Sequence, residues 1–470
     1  MGNIAVQTTL QQIIDWLGPD TVAAPATVEL ETKLTGVSTD TRTLQAGELY
    51  IPIIGERFDG HTFIEEAVKA GAGAVLCQHD RQRPDVDCPT VAVRDTLAAL
   101  QQLARAYRRS LGLPVIAVTG SNGKTTTKDL IAAVLSTRWK VYKTKGNLNN
   151  HIGLPLSLLS IEENTDIAVV EMGMNHPGEI ALLTQIATPD TAVITNVGDA
   201  HIAFFADRRG IAKAKLEIVE GLNPDGLLLI NGDDHLLREE TRQLKRDVCR
   251  VGLTDRVEEG AENVHTIETS WTRFTSTRDG LSYDIPLLGR HNVMNALFAL
   301  AVGRRMGLTN EELAQGLKNV QLSGRRLELR KTATGMWVID DSYNANPTAV
   351  KAGINTLEVL QGKSRKWVLL GDILELGERE EEMHREIGDF VSEKRIEYVF
   401  TVGRRARWIH EAVLARRRDT DHIVHFDTVE EAIRELQRLD DRDAVLFVKA
   451  SRGMALDRVV EALCASRLSH

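Results

Sequence analysis

The sequence predicts an α/β protein of three domains. These are a small N-terminal α/β domain (1–110), a central parallel-sheet domain of the P-loop ATPase-like kind (111–325) and a C-terminal Rossmann-like α/β domain (326–470). Three observations carry this expectation. At 470 residues the chain exceeds what one ordinary core supports, and about three domains is the usual division. Short apolar strands alternate with helical stretches through the centre and again through the last third. Val115–Thr119, rich in β-branched residues, runs directly into Gly120-Ser121-Asn122-Gly123-Lys124-Thr125-Thr126 and a helix-compatible segment.

That last junction is a ready anion site. Backbone N–H groups at a helix N-terminus point at phosphate oxygens, and the helix dipole favours negative charge. Lys124 is placed to reach the β/γ-phosphates, and the Thr125 hydroxyl to ligate Mg²⁺. The spacing is shortened: Val118 stands where the common pattern has its first glycine, and Gly120 comes two residues later. The stretch reads as a nucleotide triphosphate site.

Composition excludes several classes. The hydrophobic and charged fractions, 43% and 26%, are those of a soluble globular protein. A net charge of −9 argues against bulk affinity for nucleic acid or anionic membrane. Cys77, Cys88, Cys249 and Cys464 show no CxxC spacing, so neither disulfides nor a zinc framework is expected, and a reducing cytoplasm fits. Residues 1–18 carry no basic leader or long apolar run, and no membrane span is expected.

In the N-terminal domain Leu10, Ile13, Ile14 and Leu17 recur at helical spacing. Strands are expected at 48–54, 74–78 and 90–93, with a helix at 64–70. Two polar loops are expected, Gly36–Arg42 and Gly55–His61, and their arginines, Arg42 and Arg57, are the candidate anion ligands; a loop of this kind is otherwise a solvated connection.

In the central domain 167–173 is a buried strand delivering Glu171 to its carboxyl edge, where a Mg²⁺-holding carboxylate belongs; a cap carboxylate is the alternative. Thr191–Val197 delivers Asn196-Val197-Gly198-Asp199-Ala200-His201 to the same edge, which favours a site role for His201 over a core one. Thr144–Gly153 holds Asn147, Asn149 and Asn150, whose amides suit an extended polar substrate, although asparagine is also a turn former. Asn292 and Asn295 share one face at the start of an apolar helix running to about Met306.

In the C-terminal domain strands are readable at 337–341, 367–370, 398–402 and 444–449. Their ends carry Asp340-Asp341-Ser342-Tyr343-Asn344-Ala345-Asn346-Pro347, Gly371–Gly377 and Lys449-Ala450-Ser451-Arg452-Gly453. By the strand-edge rule these line a cleft, and two α/β domains with polar edges suggest closure around substrates.

Taken together, TGSNGKTTT, EMGMNHPGEI, GRHN, DDSYNANP, GDILELGE and SRGM resemble the Mur ligase family of peptidoglycan synthesis along the whole chain. GxxGKTT alone is shared with folate polyglutamate and cyanophycin-type ligases, whereas DDSYNANP with LELGE is narrower. The Asp-Asn-Pro-Arg string of the relative that adds the third residue is absent. Ala203, Ala450 and Thr41 depart from the family pattern.

The resemblance implies a ligase. A carboxylate of UDP-N-acetylmuramoyl-tripeptide attacks the γ-phosphate of ATP, and the amine of D-alanyl-D-alanine then attacks the acyl phosphate. It implies that Lys124 stabilises the transferring phosphate, that Thr125 and Glu171 hold one Mg²⁺, and that His201 holds or orients a second. The ATP set it implies comprises Gly120, Ser121, Asn122, Gly123, Lys124, Thr125, Thr126, Asn292, Asn295, Arg325, Asp341 and Asn344. Asn292 would read the adenine, and Arg325 and Asp341 would bind ribose or phosphate. Ser38, Asp40 and Arg42 would hold the uridine diphosphate end, and Asn147, Asn149, Asn150, Ser451 and Arg452 the remaining substrate. A monomer is expected. The rival classes are a nucleotide-hydrolysing switch, which needs no second α/β domain, and a non-catalytic binding module, against which intact Lys124, Thr125 and Glu171 argue.

Lys215 completes the candidates. As a helix, Ile211, Ile218, Val219 and Leu222 form an apolar stripe with Lys215 in its middle, and Lys213, Glu217 and Glu220 on the other side. Periodicity alone reads it as a lysine snorkelling from a helix edge. The resemblance implies instead a carbamylated lysine that supports the second Mg²⁺ with His201.

Overall fold

The computed structural model describes residues 7–23, 30–55, 58–82, 85–268 and 270–465. The chain forms two compact units. One comprises Met1–Thr119, Arg138–Val193 and Leu216–Leu228, the other Gly120–Thr137, Ile194–Lys215 and Leu229–His470.

In the first unit four parallel strands lie in the order Gly36–Ser38, Glu48–Tyr50, Ala74–Gln78 and Thr90–Val93. Three of these and the Ile64–Lys69 helix fall where the sequence predicts them. Gly36–Ser38 differs: expected as part of a polar loop, it is a wholly buried strand. Three residues are too few for a period-2 pattern, so only pairing with Glu48–Tyr50 defines it. The Thr96–Leu111 helix is capped by the Asp95 side chain and ends at left-handed Gly112. It buries Ala99, Leu100, Leu103, Ala104 and Tyr107, one face at helical spacing. The unit's second set of strands includes Val115–Thr119 paired parallel to Ile167–Glu171, which pairs parallel to Val141–Lys143.

The second unit carries the Lys124–Leu135 and Arg290–Arg305 helices and a six-stranded sheet. In that sheet Trp337–Asp340, Ala444–Lys449, Arg365–Gly371, Tyr398–Val402 and Ile423–Phe426 are parallel neighbours in that order. Its two faces bury separate apolar clusters, one around Ile354, Ile387 and Phe447, the other around Trp367, Phe400 and Leu446. This is the doubly wound arrangement expected. Glu328–Lys331, an antiparallel edge strand, was not legible, because Glu-Leu-Arg-Lys is charged and none of its residues is buried.

Two further expectations are corrected. The strand–helix alternation does not continue to residue 325: Glu259–Glu268, Trp271–Ser276 and Ser282–Ile285 form an antiparallel meander. Its hairpin turns at left-handed Gly280, a connection too short for a crossover helix. The helix read through Lys215 to Leu222 also stops early. It is α-helical over Arg208–Leu216 and tightens to a 3₁₀ turn over Glu217–Glu220. There the Thr184 hydroxyl takes the Ile218 carbonyl (2.9 Å), and Glu217, read as a solvated charge, accepts N–H bonds from Gly178 and Ala181.

Packing in the six-stranded sheet leaves little slack at Gly353, where a Cβ would lie 2.2 Å from Phe447 Cζ. Gly353→Ala should therefore destabilise the protein by about 1–3 kcal/mol through overpacking, read as a lowered urea midpoint; an unchanged midpoint would show that Phe447 can swing aside.

Candidate functional site

The phosphate loop is shaped by glycines that nothing else can replace. Gly120 (φ 150°) and Gly123 (φ 78°) have backbone angles that side chains rarely adopt. A Cβ on Gly120 would lie 1.9 Å from Thr195 Oγ1, and one on Gly123 2.7 Å from Asn295 Oδ1. Gly123 is the N-cap of the Lys124–Leu135 helix and makes no side-chain cap. The helix therefore opens with its dipole directed at whatever the loop holds.

The segment after Thr191–Ile194 clamps the loop. Ser121 N–H donates to the Asn196 carbonyl (3.1 Å), and Asn122 N–H to Asn196 Oδ1 (2.9 Å). The Asn122 carbonyl accepts from Thr195 Oγ1 (2.5 Å) and Asn196 Nδ2 (3.0 Å). Ser121 Oγ accepts the Gly198 N–H (2.8 Å). Lys124 Nζ folds back to donate to the Gly120 carbonyl (2.7 Å). Thr125 and Thr126 are buried in the first turn of the helix. A relay of amides continues inward, with Thr127 Oγ1 and Gly123 beside Asn295 Oδ1, Asn295 Nδ2 donating to Asn292 Oδ1 (3.0 Å), and Asn292 Nδ2 donating to the Leu288 carbonyl. The two asparagines do share one buried face.

His201 and Lys215 lie in the electrostatic reach of Lys124. Lys215 is only 2% exposed, which excludes the snorkelling reading. Burial pushes its ammonium well below the usual lysine value, and the Lys124 charge adds to this. Burial also lowers His201, opposed by Glu375 and reinforced by Lys124 and Lys215. His201 Nδ1 lies 2.7 Å from a Glu375 carboxylate oxygen, an ion-pair distance without hydrogen-bond geometry. Both residues are left-handed, at φ 61° and 63°, an uncommon conformation for non-glycine residues. Glu375 was missed as a partner because it is 174 positions away; its signal was only membership of the quoted GDILELGE string.

The DDSYNANP loop reaches this loop too. Asn346 caps the Pro347–Val359 helix and exchanges hydrogen bonds with the Asn122 amide, while Thr348 Oγ1 donates to Asp199 (3.2 Å). Asp341 is held by Lys449, whose ammonium donates to its carboxylate (2.5 Å), to its carbonyl and to the Asn344 carbonyl (2.9 Å). Arg325 pairs with Asp457 and Glu461, and its Nε lies 3.8 Å from a carboxylate oxygen of Asp340, the neighbour of Asp341. Ser451 is buried, its hydroxyl accepting the Leu374 N–H, and the neighbouring Arg452 is exposed.

In the first unit Glu171 ends its strand wholly buried, and Asn149 Nδ2 donates to its Oε1 (2.8 Å). Asn150 Oδ1 accepts the Ile152 and Gly153 N–H groups, the turn-forming role, and the Asn147 carbonyl accepts the Asn149 N–H. Ser38, Asp40 and Arg42 form one turn: Ser38 Oγ accepts the Asp40 N–H, and Arg42 forks onto both Asp40 oxygens (2.9 and 2.6 Å). The Arg42 hydrogen bond holds the Asp40 carboxyl below its ordinary value. Arg57 lies outside the described residues.

The fold and its loop define a phosphate-loop α/β protein with a second, doubly wound sheet. Family models match three consecutive parts: the Mur ligase family catalytic domain at residues 33–108, the Mur ligase middle domain at 118–303 and the Mur ligase glutamate ligase domain at 325–452. The chain belongs to the Mur ligase family. It is 45% identical to the UDP-N-acetylmuramoyl-tripeptide–D-alanyl-D-alanine ligase of Bacillus subtilis, covering 93% of this chain and 95% of that one. The Escherichia coli enzyme of the same name is 35% identical over 97% of this chain and 98% of its own. MurF of Acinetobacter baumannii superposes with a TM-score of 0.87 at 29% identity, covering 98% and 99% of the two chains. MurF ligase of Thermotoga maritima, solved in complex with ADP, gives 0.81 at 30% identity, over 91% and 96%.

The buried Lys215 amine has a measurable signature. Between its lowered value and the ordinary lysine value of 10.5 the unfolded chain holds a proton that the folded chain lacks, so stability rises with pH across that window. Lys215→Met removes the dependence. The variant should be more stable than the wild type near neutrality, and its advantage should shrink as the pH nears 10.5. Urea unfolding at about pH 7 and about pH 9.5 checks this, and a constant difference would show that the lysine stays protonated in the fold.

Proposed function

We propose that this chain is an ATP-dependent ligase that joins D-alanyl-D-alanine to UDP-N-acetylmuramoyl-tripeptide. The products are ADP, phosphate and the UDP-linked pentapeptide of peptidoglycan precursor synthesis. The observation that carries the reading is the cluster of donors at one glycine-shaped phosphate loop, where the N-terminus of the Lys124–Leu135 helix and the Lys124 ammonium meet. Such a cluster calls for anions, and a nucleoside triphosphate with an attacking carboxylate supplies them. The full-length likeness to ligases of that name supports the choice of substrates.

In this reading the tripeptide carboxylate attacks the γ-phosphorus of ATP and ADP leaves. The dipeptide amine then attacks the acyl phosphate carbon, giving the amide and inorganic phosphate and losing a proton. The protein contributes positioning and charge neutralisation. Lys124 leaves the Gly120 carbonyl to meet the γ-phosphate, and the N-terminus of its helix supplies the dipole. Asn292 and Asn295 support the loop from behind, with Asn292 assigned to the adenine. Ser38, Asp40 and Arg42 are assigned to the uridine diphosphate end. Boundaries near residues 110 and 325 divide acceptor, ATP and dipeptide functions among three domains.

Mg²⁺ fits the donor chemistry. A hard cation takes oxygen ligands, which the Thr125 hydroxyl and the Glu171 carboxylate offer, the latter pre-oriented by Asn149. His201 has a buried Nδ1 without a hydrogen bond. A neutral Lys215 amine can add carbon dioxide to become an anionic carbamate, the form assigned to the second ion. When bound, Mg²⁺ would neutralise phosphate charge and polarise the transferring phosphoryl group. Among the described residues no helix is long and apolar enough to cross a membrane. A cytoplasmic monomer with no nucleic-acid partner is the form we assign.

Phosphate release separates this reading from a hydrolytic switch. Release should require both the UDP-linked tripeptide and D-alanyl-D-alanine, and mass spectrometry should find the pentapeptide. Lys124→Ala should lower kcat by roughly 10²–10³, the usual loss for one preorganised charge-stabilising donor, with the fold retained by circular dichroism. Release with ATP alone, or near-normal turnover in the folded variant, would reject the assignment.

A further inference from the structure

We infer that Thr144 and Ser157 are positioning residues for Glu171, and that their buried hydroxyls set how tightly this acid takes a divalent cation. The inference rests on the Mg²⁺ assignment of Glu171 in the ligase reading above. Glu171 closes the Ile167–Glu171 strand, which pairs on one side with Val115–Thr119 and on the other with Val141–Lys143. The two sides differ in reach. Val118 still stands opposite Glu171, whereas pairing with the shorter strand stops at Lys143 and Val169.

Beyond that point a side chain continues the ladder. Thr144 N–H donates to the Val169 carbonyl (3.1 Å), and Glu171 N–H then donates to the Thr144 hydroxyl oxygen (3.0 Å). A hydroxyl thus takes the place of the main-chain carbonyl that a longer parallel strand would offer. The chain can therefore leave the sheet, turning at left-handed Gly146 (φ 58°), while the end of the Glu171 strand stays bonded.

The Thr144 oxygen is itself held. Ser157 Oγ donates to it (3.3 Å), and the Tyr142 hydroxyl lies 3.0 Å from Ser157 Oγ. Ser157 is wholly buried in the Gly153–Leu159 helix, whose Leu154, Leu158 and Leu159 are buried too, and Thr144 is 1% exposed. Hydroxyls so placed cost stability unless they are hydrogen-bonded, and apolar side chains of the same size carry no such cost. Two of them meeting at the one main-chain N–H that fixes Glu171 serve position rather than packing.

Asn149 supplies the other hold. Its Nδ2 donates to Glu171 Oε1 (2.8 Å) and its carbonyl accepts the Gly173 N–H (2.8 Å). Main chain and carboxylate of Glu171 are thus fixed by the two ends of one short loop. Groups that orient a metal-binding side chain in this way commonly govern metal affinity by about 10–100-fold.

Binding of Mn²⁺ to the full chain in the presence of ADP, read by electron paramagnetic resonance, tests this without turnover. Thr144→Val, which keeps the shape and removes the hydroxyl, should raise the Mn²⁺ Kd about 10–100-fold. Thr144→Ser, which keeps the hydroxyl, should stay within about threefold of wild type, and Ser157→Ala, one bond further away, should raise Kd about 3–10-fold. Calorimetry with ADP and no metal should give a Kd within about twofold of wild type throughout, since the effect runs through Glu171 alone. An unchanged Mn²⁺ Kd in folded Thr144→Val overturns the inference, and so does a loss of Mn²⁺ and ADP binding in step, the mark of a merely structural role. If Thr144→Val gives no folded signal by circular dichroism, Ser157→Ala decides on the same terms. A wild type that takes up no Mn²⁺ with ADP overturns it outright. A chain that shows the expected shifts yet forms no pentapeptide loses the ligase reading and keeps the positioning role.

Discussion

Everything in the phosphate site depends on how Asn122 is held. Its N–H, its carbonyl and its side-chain amide are all engaged, by Asn196, by Thr195 and Asn196, and by Asn346. A glycine-rich loop has little conformational preference of its own, so its shape must be imposed by partners. Here one asparagine transmits the geometry of a neighbouring strand end and of a helix cap 224 positions away to the loop that carries Lys124. The close approach at Gly120 follows from the same clamp, since Thr195 occupies the space a side chain would need.

Buried charges recur around this centre, and each is resolved in its own way. Lys449 satisfies its three donors on Asp341 and Asn344, so it stabilises a loop rather than facing a ligand. Asp129, on the phosphate-loop helix, takes both donors of Ser323 and so links that helix to the segment leading into Arg325 and Arg326. Lys215 is different: it is only 2% exposed, and burial together with the Lys124 charge pushes its ammonium well below the usual lysine value. An amine that is buried and unpaired costs stability, and such costs gather at functional positions.

Backbone strain points to the same places. Among the described non-glycine residues with positive φ are His201 and Glu375, which meet each other, and Leu327, next to Arg326. Each is a position where the fold sets the backbone against its local preference, which is tolerable only because the surrounding packing is rigid.

The sequence by itself determined the strand–loop–helix around Lys124, the doubly wound C-terminal sheet, and the set of strand-end motifs. Each of these is written in local periodicity or in glycine placement, which operate over a few residues. The acid at Glu171 and the asparagine pair at 292 and 295 were legible for the same reason. Only the tertiary structure decided that Gly36–Ser38 is a strand, that 259–285 is an antiparallel meander, and that Glu217 caps a helix. It also decided that Lys215 is buried rather than snorkelling, because burial depends on what packs above a helix face and not on the face alone. Pairings such as His201 with Glu375 and Asp341 with Lys449 leave no local trace, since they join residues that only the folded chain brings within a few ångströms.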